Sequence, residues 1–523
     1  MKINSICIVG GGSSGWMTAA ALSKNFPNID FTLVESDINP VGVGESTLGS
    51  FNVFLRYLDL KDEDWMPHCN ATYKTSIAFK NFREGNGERF QYPFGDYVTE
   101  YATNFIYYLH HRYPELYPPE EGARFINFQT FLAESNRFTN GEIEGTSYDS
   151  SKNTAYHFDA ALFGKFLKEK IAIPNGVKYF NDKITYCTKD EEGYIKCLHT
   201  DKGNSFTADL FIDCTGFKSL LLGKFMEVPF KSYSDYLFND MALATQIPYI
   251  NKNDQMRSWT DCIAMNNGWV WEIPLWNRIG TGYVFSSKYV NPKDAEIEYR
   301  NFLSEQYSKK IADSAKFKLI KIRHGRHNSA WVKNVVGIGL SYGFIEPLES
   351  TGLMTTHENI MSLGDLLSNA NNNVIGQKDK NVLNHYINSL TDSMMLFVSM
   401  HYFLSSRDDN SYWRDCINNE SIYNNKEKFT IKNQNQISDF FELGGAKWFN
   451  STKAGDITIA LGQGINPVTK RIYNEHIKNK NFLKDLEDTH QLYQKKKKEL
   501  LETLDNFPTH FEFLKNNIYG RNT

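Results

Sequence analysis

The sequence has no cysteines in the spacing of a metal site or a disulfide framework. Its seven cysteines stand singly at positions 7, 69, 187, 197, 214, 262 and 416, without a CxxC or a Cys/His cluster. Their odd number and wide spacing favour a reducing, cytoplasmic location and argue against a structural zinc site. We therefore expect no metal ion.

The chain also lacks a long apolar run and an excess of charge of one sign. No segment reaches the roughly 18 uninterrupted apolar residues that a membrane span needs. The apolar N-terminal stretch is broken by three glycines and two serines, which favours strand, loop and helix over a signal peptide. A formal net charge of −4 gives no reason to expect nucleic acid or a membrane surface as a partner.

Internal repeats and Pro- or Ser-rich linkers are missing as well. With 523 residues, 41% of them hydrophobic, the chain can form one large domain or two to three closely joined domains. Aromatic residues make up 14% of the sequence. This fits either a large aromatic binding cavity or an aromatic-rich core.

The first fifty residues contain a dinucleotide-binding pattern. Residues 3–9 predict a buried strand, residues 10–15 (GGGSSG) supply GxGxxG, and residues 16–26 predict a helix. The glycines allow a tight turn, so that a pyrophosphate can lie against the positive end of the helix. A second strand ends on Glu35, whose carboxylate can accept hydrogen bonds from the adenosine ribose. The expected contacts are Gly10, Gly12, Ser13, Ser14, Gly15 and Glu35.

Later segments favour FAD over NAD. Residues 213–216 (DCTG) close a predicted strand and resemble the second flavin-contacting motif of the flavoprotein monooxygenases. Residues 334–340 predict another apolar strand, which brings Leu340 to the flavin by the same resemblance. No second GxGxxG stands between a strand and a helix, so we expect the flavin to be reduced by a separate reductase. The Gly-rich loop 40–47 is expected to enter a helix capped by Ser46 or Thr47.

Residues 268–274 (GWVWEIP) carry two of the nine tryptophans of the chain. On a strand, Trp269 and Trp271 face the same side because side chains alternate with a period of two. By residue type alone they are core or interface anchors.

Together, GxGxxG at 10–15 and WxWxIP at 269–274 resemble the signature pair of the flavin-dependent halogenases. Other similar stretches follow in order along nearly the whole chain, at residues 42–47, 71–79, 156–160, 280–284 and 346–352 and in the C-terminal tail. The resemblance is closest to the tryptophan-halogenase branch. It implies an α/β fold: a Rossmann-like FAD-binding module of the flavoprotein monooxygenase type, an inserted mixed sheet and a mainly helical C-terminal region.

The resemblance also implies a reaction. Reduced FAD forms a flavin hydroperoxide with oxygen, a halide attacks its distal oxygen, and the resulting hypohalous acid moves to an aromatic substrate. Lys74 would hold the oxidised halogen by a hydrogen bond or as a haloamine, although lysine is mostly a surface residue. Glu349 would stabilise the cationic ring or accept its proton, with Glu346 as a competing candidate.

Further site residues follow from the same motifs. Ser350 would link the halide site to the substrate pocket or, alternatively, cap a helix. The halide would bind the backbone amides of Thr351 and Gly352. The flavin strap would include Val43, Gly44 and Glu45. Trp269, Trp271, Ile273 and Pro274 would line the passage beside the flavin, and the substrate pocket would include Tyr92, Phe94 and Trp448.

In the substrate pocket the sequence departs from the tryptophan-halogenase pattern. Tyr92 stands where that branch has a histidine, and residues 440–449 contain two glycines and lack the tyrosines of its amino-acid clamp. A larger or less polar aromatic, such as a substituted indole or a phenol, fits this pattern better than free tryptophan.

We therefore predict a two-component, FADH2-dependent halogenase of an electron-rich aromatic, with halide, a separate reductase and a homo-oligomer as expected partners. The alternatives are an aromatic hydroxylase of the flavin monooxygenase class and a flavin-binding protein without catalysis. The expected regions are an FAD-binding module (1–70, 150–225 and 320–365), a substrate and sheet region (71–149 and 226–319) and a helical region (366–523) that completes the pocket.

Overall fold

The computed structural model describes residues 1–36, 44–94, 104–139, 154–370, 374–423, 453–466 and 468–520. Two of the predicted site residues, Val43 and Trp448, lie outside these ranges.

Strands and helices alternate in the first two thirds of the chain, and helices dominate the last third. The strands are β1 Ser5–Val9, β2 Asp30–Glu35, β3 Thr72–Lys74, β4 Ser76–Lys80, β5 Arg89–Pro93, β6 Ala155–His157, β7 Lys178–Asn181, β8 Ile184–Lys189, β9 Ile195–Thr200, β10 Ser205–Phe206, β11 Leu210–Asp213, β12 Phe230–Ser232, β13 Met241–Ile247, β14 Trp259–Ala264, β15 Gly268–Pro274, β16 Ile279–Phe285, β17 Lys318–Lys321, β18 Gly325–His327, β19 Trp331–Val332, β20 Val335–Gly337 and β21 Gly343–Phe344. The helices are α1 Ser13–Asn25, α2 Phe51–Tyr57, α3 Asp62–Trp65, α4 Phe105–Arg112, α5 Glu121–Ile126, α6 Gln129–Glu134, α7 Ala160–Leu167, α8 Lys252–Gln255, α9 Pro292–Gln306, α10 Lys309–Ser314, α11 Thr351–Asn369, α12 Gln377–Phe403, α13 Ser411–Ile417, α14 Glu420–Tyr423, α15 Lys453–Gly462, α16 Lys470–His476, α17 Lys480–Thr503 and α18 His510–Leu514. No helix of the described part is long and apolar enough to cross a membrane.

The chain divides into two compact units. The first unit comprises Met1–Ala71, Phe158–Ser234 and Arg323–Asp392, and the second comprises Thr72–His157, Asp235–Ile322 and Ser393–Thr523. The first unit is assembled from three separate segments of the chain. The residues after Ser393 group with the sheet region and not as a third body. The functional assignment of the predicted regions stays a prediction.

The first unit is built on a six-stranded sheet in the order β19-β20-β11-β1-β2-β7. All neighbours in it are parallel except the edge pair β19–β20. β1 lies in the middle and is fully covered from Ile6 to Val9, because a parallel sheet with helices on its faces buries its strands on both sides. Helix α1 follows β1 directly and packs on α7 and α11. This is the predicted Rossmann-like arrangement.

The second unit is built on a seven-stranded mixed sheet in the order β17-β13-β16-β15-β14-β4-β5. Its pairs are antiparallel except β14–β4. The short strands β3 and β6 form a separate antiparallel pair, so that Lys74 at the end of β3 lies opposite Ala155. One sheet face packs on α9 through Tyr299 and Leu303. The predicted inserted sheet and helical C-terminal region are therefore both present.

Candidate active site

At two positions of the GxGxxG loop the backbone packs so closely that only glycine fits. Gly10 has a φ of 111°, and a Cβ there would lie 2.3 Å from the carbonyl oxygen of Cys214. A Cβ on Gly15 would lie 1.9 Å from the carbonyl oxygen of Gly10, so any side chain at either position forces the turn open. At Gly12, in contrast, a Cβ would meet no atom within 4 Å. The loop is therefore closed underneath and open at Gly12, immediately before helix α1.

The Glu35 carboxylate lies over this loop. A Cβ on Gly11 would come within 1.4 Å of Glu35 Oε2, so the carboxylate occupies the space that glycine leaves. The other oxygen, Oε1, accepts from the Lys168 ammonium at 3.2 Å. That ammonium also lies 3.5 Å above the ring centroid of Tyr179 and 4.8 Å from that of Trp16. An aromatic cage thus holds a lysine on the residue expected to bind the ribose.

The other two loops predicted to reach the flavin belong to the same unit. Asp213 is fully buried and accepts hydrogen bonds from the backbone amides of Thr215, Leu221 and Leu222. Burial raises the pKa of this carboxyl, although these donors act in the opposite direction. Asp213 therefore fixes the backbone of the loop that follows β11 by accepting these hydrogen bonds. β20 ends at Gly337, earlier than expected, and a Cβ on Gly339 (φ 69°), next to Leu340, would meet the Ser14 side chain at 3.1 Å.

The strap loop differs from the prediction at its helix. α2 begins at Phe51 with Ser50 as N-cap, so neither Ser46 nor Thr47 caps it. The Ser46 hydroxyl instead accepts a hydrogen bond from the Ser350 hydroxyl at 3.0 Å, across 304 residues of sequence. A Cβ on Gly44 would meet no atom within 4 Å, and the carbonyl of Glu45 accepts from the Phe158 amide at 2.9 Å.

Residues 346–352 form a sharp turn into α11. Ser350 occupies the N-cap position in the left-handed region, with φ 57° and no side-chain capping bond. Thr351 and Gly352 are the first residues of the 19-residue helix, where backbone N–H groups have no intrahelical acceptor. The Thr351 hydroxyl donates back to the carbonyls of Ile345 and Glu346. Glu346 and Glu349 are both fully buried, so burial does not separate the two candidates.

The first unit therefore fits a flavin dinucleotide. Gly12 and the start of α1 provide an open, positively polarised surface for a pyrophosphate. Glu35 would be oriented by Lys168 to accept from a ribose, and Gly339, next to Leu340, lies against the Ser14 side chain. Among the described residues, no group of three or more histidine, cysteine or acidic side chains could hold a metal ion.

Lys74 lies in the second unit and is fully buried, which is unusual for a lysine. Its Nζ lies 4.9 Å from the ring centroid of Phe94, so the aromatic face offers part of the stabilisation that water would give. Phe94 in turn meets Tyr92 edge to face, with 6.0 Å between the ring centroids, and Tyr92 meets Phe397 at 6.3 Å. The structure thus brings Lys74 and the two described pocket residues together.

The tryptophans of WxWxIP are buried next to each other on β15. Trp269 and Trp271 are 1% and 9% exposed, and their ring centroids lie 6.3 Å apart. Trp271 lies opposite Gly282 of β16, where a Cβ would come within 2.2 Å of the indole ring. Ile273 and Pro274 are buried at the end of the same strand. The absence of a side chain at Gly282 therefore leaves the room that the Trp271 indole occupies.

Two residues of interest were missed by sequence reasoning. Lys168 lies in a π-helical turn, Lys168–Ala172, and nothing in the sequence indicates its pairing with Glu35. His157 is fully buried in β6 beside Thr72 of β3. A histidine flanked by aromatic residues on a short strand was the available signal.

The whole arrangement matches known proteins. Residues 5–478 match the family model described as tryptophan halogenase. The chain is 37% identical to the 7-chloro-L-tryptophan 6-halogenase KtzR of Kutzneria sp. (strain 744) over 426 residues, 78% of this chain and 81% of KtzR. The solved apo structure of VirX1 has a TM-score of 0.90 and 46% identity, covering 99% of this chain and all of VirX1. Tar14, a tryptophan C-6 flavin-dependent halogenase from taromycin biosynthesis, has a TM-score of 0.82 and 31% identity, covering 98% and 99%.

The Rossmann-like unit with its flavin loops, joined in one chain to the WxWxIP sheet, defines a flavin-dependent halogenase. The chain belongs to the tryptophan halogenase family.

Proposed function

We propose that this enzyme is a two-component, FADH2-dependent halogenase that modifies an electron-rich aromatic ring of the indole or phenol type through Lys74. The observation that carries the proposal is the fully buried Lys74 ammonium facing Phe94. Burying a lysine is costly, and lysine is mostly exposed in folded proteins, so a chemical role accounts best for its place. None of the seven cysteines, all of which lie in the described part of the chain, forms a disulfide, which supports a reducing, cytosolic location.

In the first unit, Gly10, Gly12, Ser13, Ser14, Gly15 and Glu35 would hold FAD, with the strap residues Val43, Gly44 and Glu45 and with Leu340. Bound in reduced form, the flavin would supply the electrons with which oxygen oxidises a halide. A separate reductase would deliver it, because this chain has no second dinucleotide fingerprint. The amides of Thr351 and Gly352 would bind the halide, since the N-terminus of a long helix favours an anion. Ser350, bonded to Ser46, would keep that turn against the strap loop.

Lys74 would take over the oxidised halogen. As an ammonium it donates a hydrogen bond to hypohalous acid. As a free amine it attacks the halogen, forming an N–X bond while the O–X bond breaks and water leaves. Transfer to the ring forms a C–X bond while the N–X bond breaks, and the nitrogen keeps the electron pair and takes up a proton to become the amine again. Glu349 would then stabilise the cationic ring or accept its proton.

The aromatic side chains of the second unit would set the substrate. Their names state that KtzR acts on 7-chloro-L-tryptophan and that Tar14 acts on C-6 of tryptophan. Here Tyr92 and Phe94, with Trp448, would line the pocket, while Trp269, Trp271, Ile273 and Pro274 would line a rigid passage for the oxidised halogen. Tyr92 and Phe94 lie edge to face and are stabilised by packing, which suits a planar ring more than a zwitterion.

The test is an assay of the purified enzyme with FAD, a flavin reductase, NADH, oxygen and chloride, bromide or iodide. Tryptophan, substituted indoles and phenols are offered in turn, and products are analysed by mass spectrometry. A halogenated product that needs the flavin, oxygen and the halide is expected. Hydroxylated products alone would instead establish an aromatic hydroxylase, and a lack of any flavin-dependent product would indicate a binding protein without catalysis.

A further inference from the structure

The residues on either side of Lys74 are held by long-range hydrogen bonds. The Thr72 hydroxyl donates to the carbonyl oxygen of Pro274 at 2.6 Å, and the Tyr73 amide donates to His510 Nε2 at 3.3 Å. On the other side, the Thr75 hydroxyl donates to the carbonyl of Ser258 at 3.0 Å. Lys74 therefore stands at a fixed joint, where the chain leaves the β3–β6 pair and enters the seven-stranded sheet.

The bond from Thr72 belongs to a chain of buried polar groups. His157 lies opposite Thr72 in the β3–β6 pair, with 3.4 Å between His157 Nδ1 and the Thr72 hydroxyl. On the far side of the ring, His157 Nε2 lies 2.8 Å from the Thr260 hydroxyl. Thr72, His157 and Thr260 are at most 4% exposed. The bonds thus run from Thr260 through His157 and Thr72 to Pro274.

The donors in this chain are determined by one carbonyl group. A carbonyl only accepts, so the single Thr72 proton goes to Pro274 and Thr72 must accept from His157. His157 Nδ1 therefore carries hydrogen, and in a neutral ring Nε2 then accepts from Thr260. Burial, followed by the charges of Lys74 and His510, holds the pKa of His157 well below its usual range, although a hydrogen bond from the ring to the carbonyl of Pro274 acts in the opposite direction. The ring is consequently neutral at physiological pH, and the chain has one consistent direction.

We propose that Thr72, with His157 behind it, is a positioning residue that fixes Lys74 by tying the lysine strand to the carboxyl end of the WxWxIP strand. The inference rests on the proposed role of Lys74 and assigns Pro274 the role of hydrogen-bond acceptor for the lysine strand. Its carbonyl anchors the lysine strand to β15, which also carries Trp269 and Trp271. One strand then sets both the tryptophan pair and the backbone that presents the lysine.

Loss of the anchor would loosen Lys74 without removing any group from the reaction. Thr72→Val keeps the shape and the β-branched strand preference and replaces the hydroxyl with a methyl group, so the Pro274 carbonyl loses this donor. A displacement on the order of 1 Å at a reacting group lowers turnover by about 100-fold. We therefore expect the substitution to reduce kcat by about 10- to 100-fold, with little change in KM for the aromatic substrate or in FAD affinity.

The experiment compares wild type, Thr72→Val, Thr72→Ser and Thr260→Val for kcat, KM and FAD binding. Ser restores the hydroxyl and should recover most of the activity, which a packing role for the Thr72 methyl group would not allow. Thr260→Val breaks the chain at its far end and should reduce kcat less. Thr391→Val is the matched control, because that buried hydroxyl also donates to a carbonyl, Ile387 at 2.8 Å, and lies in the first unit.

Amide hydrogen exchange provides a measurement that does not depend on turnover. The Tyr73 amide should exchange faster in Thr72→Val than in wild type, because its strand has lost an anchor. A Thr72→Val enzyme with wild-type kcat, or a Thr72→Ser enzyme as impaired as Thr72→Val, would overturn the inference while leaving the halogenase assignment intact. A wild-type enzyme that never halogenates would remove the assignment itself. If Thr72→Val fails to fold, a Thr260→Val enzyme with wild-type kcat, or a Thr72→Ser enzyme that loses most of its kcat, would overturn the inference.

Discussion

The nucleotide loops of the first unit and the lysine strand of the second are built in opposite ways. In the glycine loop the site consists of backbone: a Cβ on Gly10 or Gly15 would lie 2.3 or 1.9 Å from a carbonyl oxygen, whereas Gly12 faces open space. Around Lys74 it consists of side chains, and each neighbouring residue is tied by a hydroxyl, an imidazole or an aromatic ring. A ligand that is bound through its phosphates needs open backbone N–H groups, whereas a buried cation needs a rigid polar surrounding.

This difference predicts how the two regions respond to substitution. In the first unit, adding one methyl group should be the most damaging change. In the second unit, a substitution that removes one polar atom should lower activity even when it keeps the shape of the side chain.

The largest effect is expected for Gly15→Ala. Its Cβ would overlap the Gly10 carbonyl oxygen at 1.9 Å, so the turn under the pyrophosphate site must open, at a cost of about 3 kcal/mol in the free energy of unfolding. Thermal unfolding and FAD titration should show a less stable protein that no longer binds FAD. Gly12→Ala is the control, since its Cβ has open space and should leave stability unchanged. Equal melting temperatures for Gly15→Ala and wild type would contradict a cradle closed by backbone contacts.

A second prediction concerns buried charge in the second unit. Glu272 lies opposite Asp261 on β14 and β15, and Tyr307 donates to it at 2.8 Å. Burial, and then the charge of Asp261, raise the pKa of Glu272 to about 7. The folded state then binds more protons than the unfolded state between about pH 4.5 and 7. The free energy of unfolding is therefore expected to fall between about pH 4.5 and 7, by on the order of 1–3 kcal/mol, and to level off above pH 7.

Urea unfolding between pH 5 and 8 measures this dependence, with Glu272→Gln as its control. The amide cannot ionise, so the slope against pH should flatten in that variant. An identical pH profile in both proteins would show that Glu272 does not titrate in this range.

The smallest effect is expected where a charged pair borders the glycine loop. Lys168 binds only Glu35 Oε1 and so orients the carboxylate, with Oε2 over Gly11. The pair is partly exposed, and solvent limits its contribution to about 1 kcal/mol, including the aromatic contacts. Lys168→Met should weaken FAD binding roughly fivefold in a fluorescence titration. Lys165→Met, at an exposed lysine that pairs with Glu169, should bind FAD like wild type.

Unchanged affinity in Lys168→Met would mean that Glu35 is positioned without the lysine. The nucleotide site of the first unit would then depend on its backbone alone, without a contribution from the Lys168 side chain.

The two regions also differ in how far sequence predicts them. Gly10, Gly15 and Glu35 follow from local spacing, because strand, turn and helix are adjacent in the chain. The common face of Trp269 and Trp271 follows from strand alternation alone. Lys74, by contrast, could be placed in the interior only through resemblance, since its surroundings come from distant segments such as residues 94, 258 and 274.

The predicted cap at Ser46 or Thr47 was wrong for the same physical reason. A serine before a helix is a good local N-cap, but the Ser46 hydroxyl is engaged by Ser350, 304 residues away. The Lys168–Glu35 pair is likewise long-range, since its members are 133 positions apart in the sequence. Local patterns determine the elements and their faces, whereas polar contacts between distant segments appear only once the chain is folded.

The most direct measurement compares wild type with Lys74→Met under reductase, FAD, oxygen and halide. Methionine keeps much of the lysine's length and packing but has no nitrogen. The variant should bind FAD with wild-type affinity and oxidise the reduced flavin, while halogenation of the aromatic substrate falls by at least about 100-fold. Lys80→Met, at the end of β4, should halogenate normally. Halogenation by Lys74→Met at the wild-type rate would contradict the account.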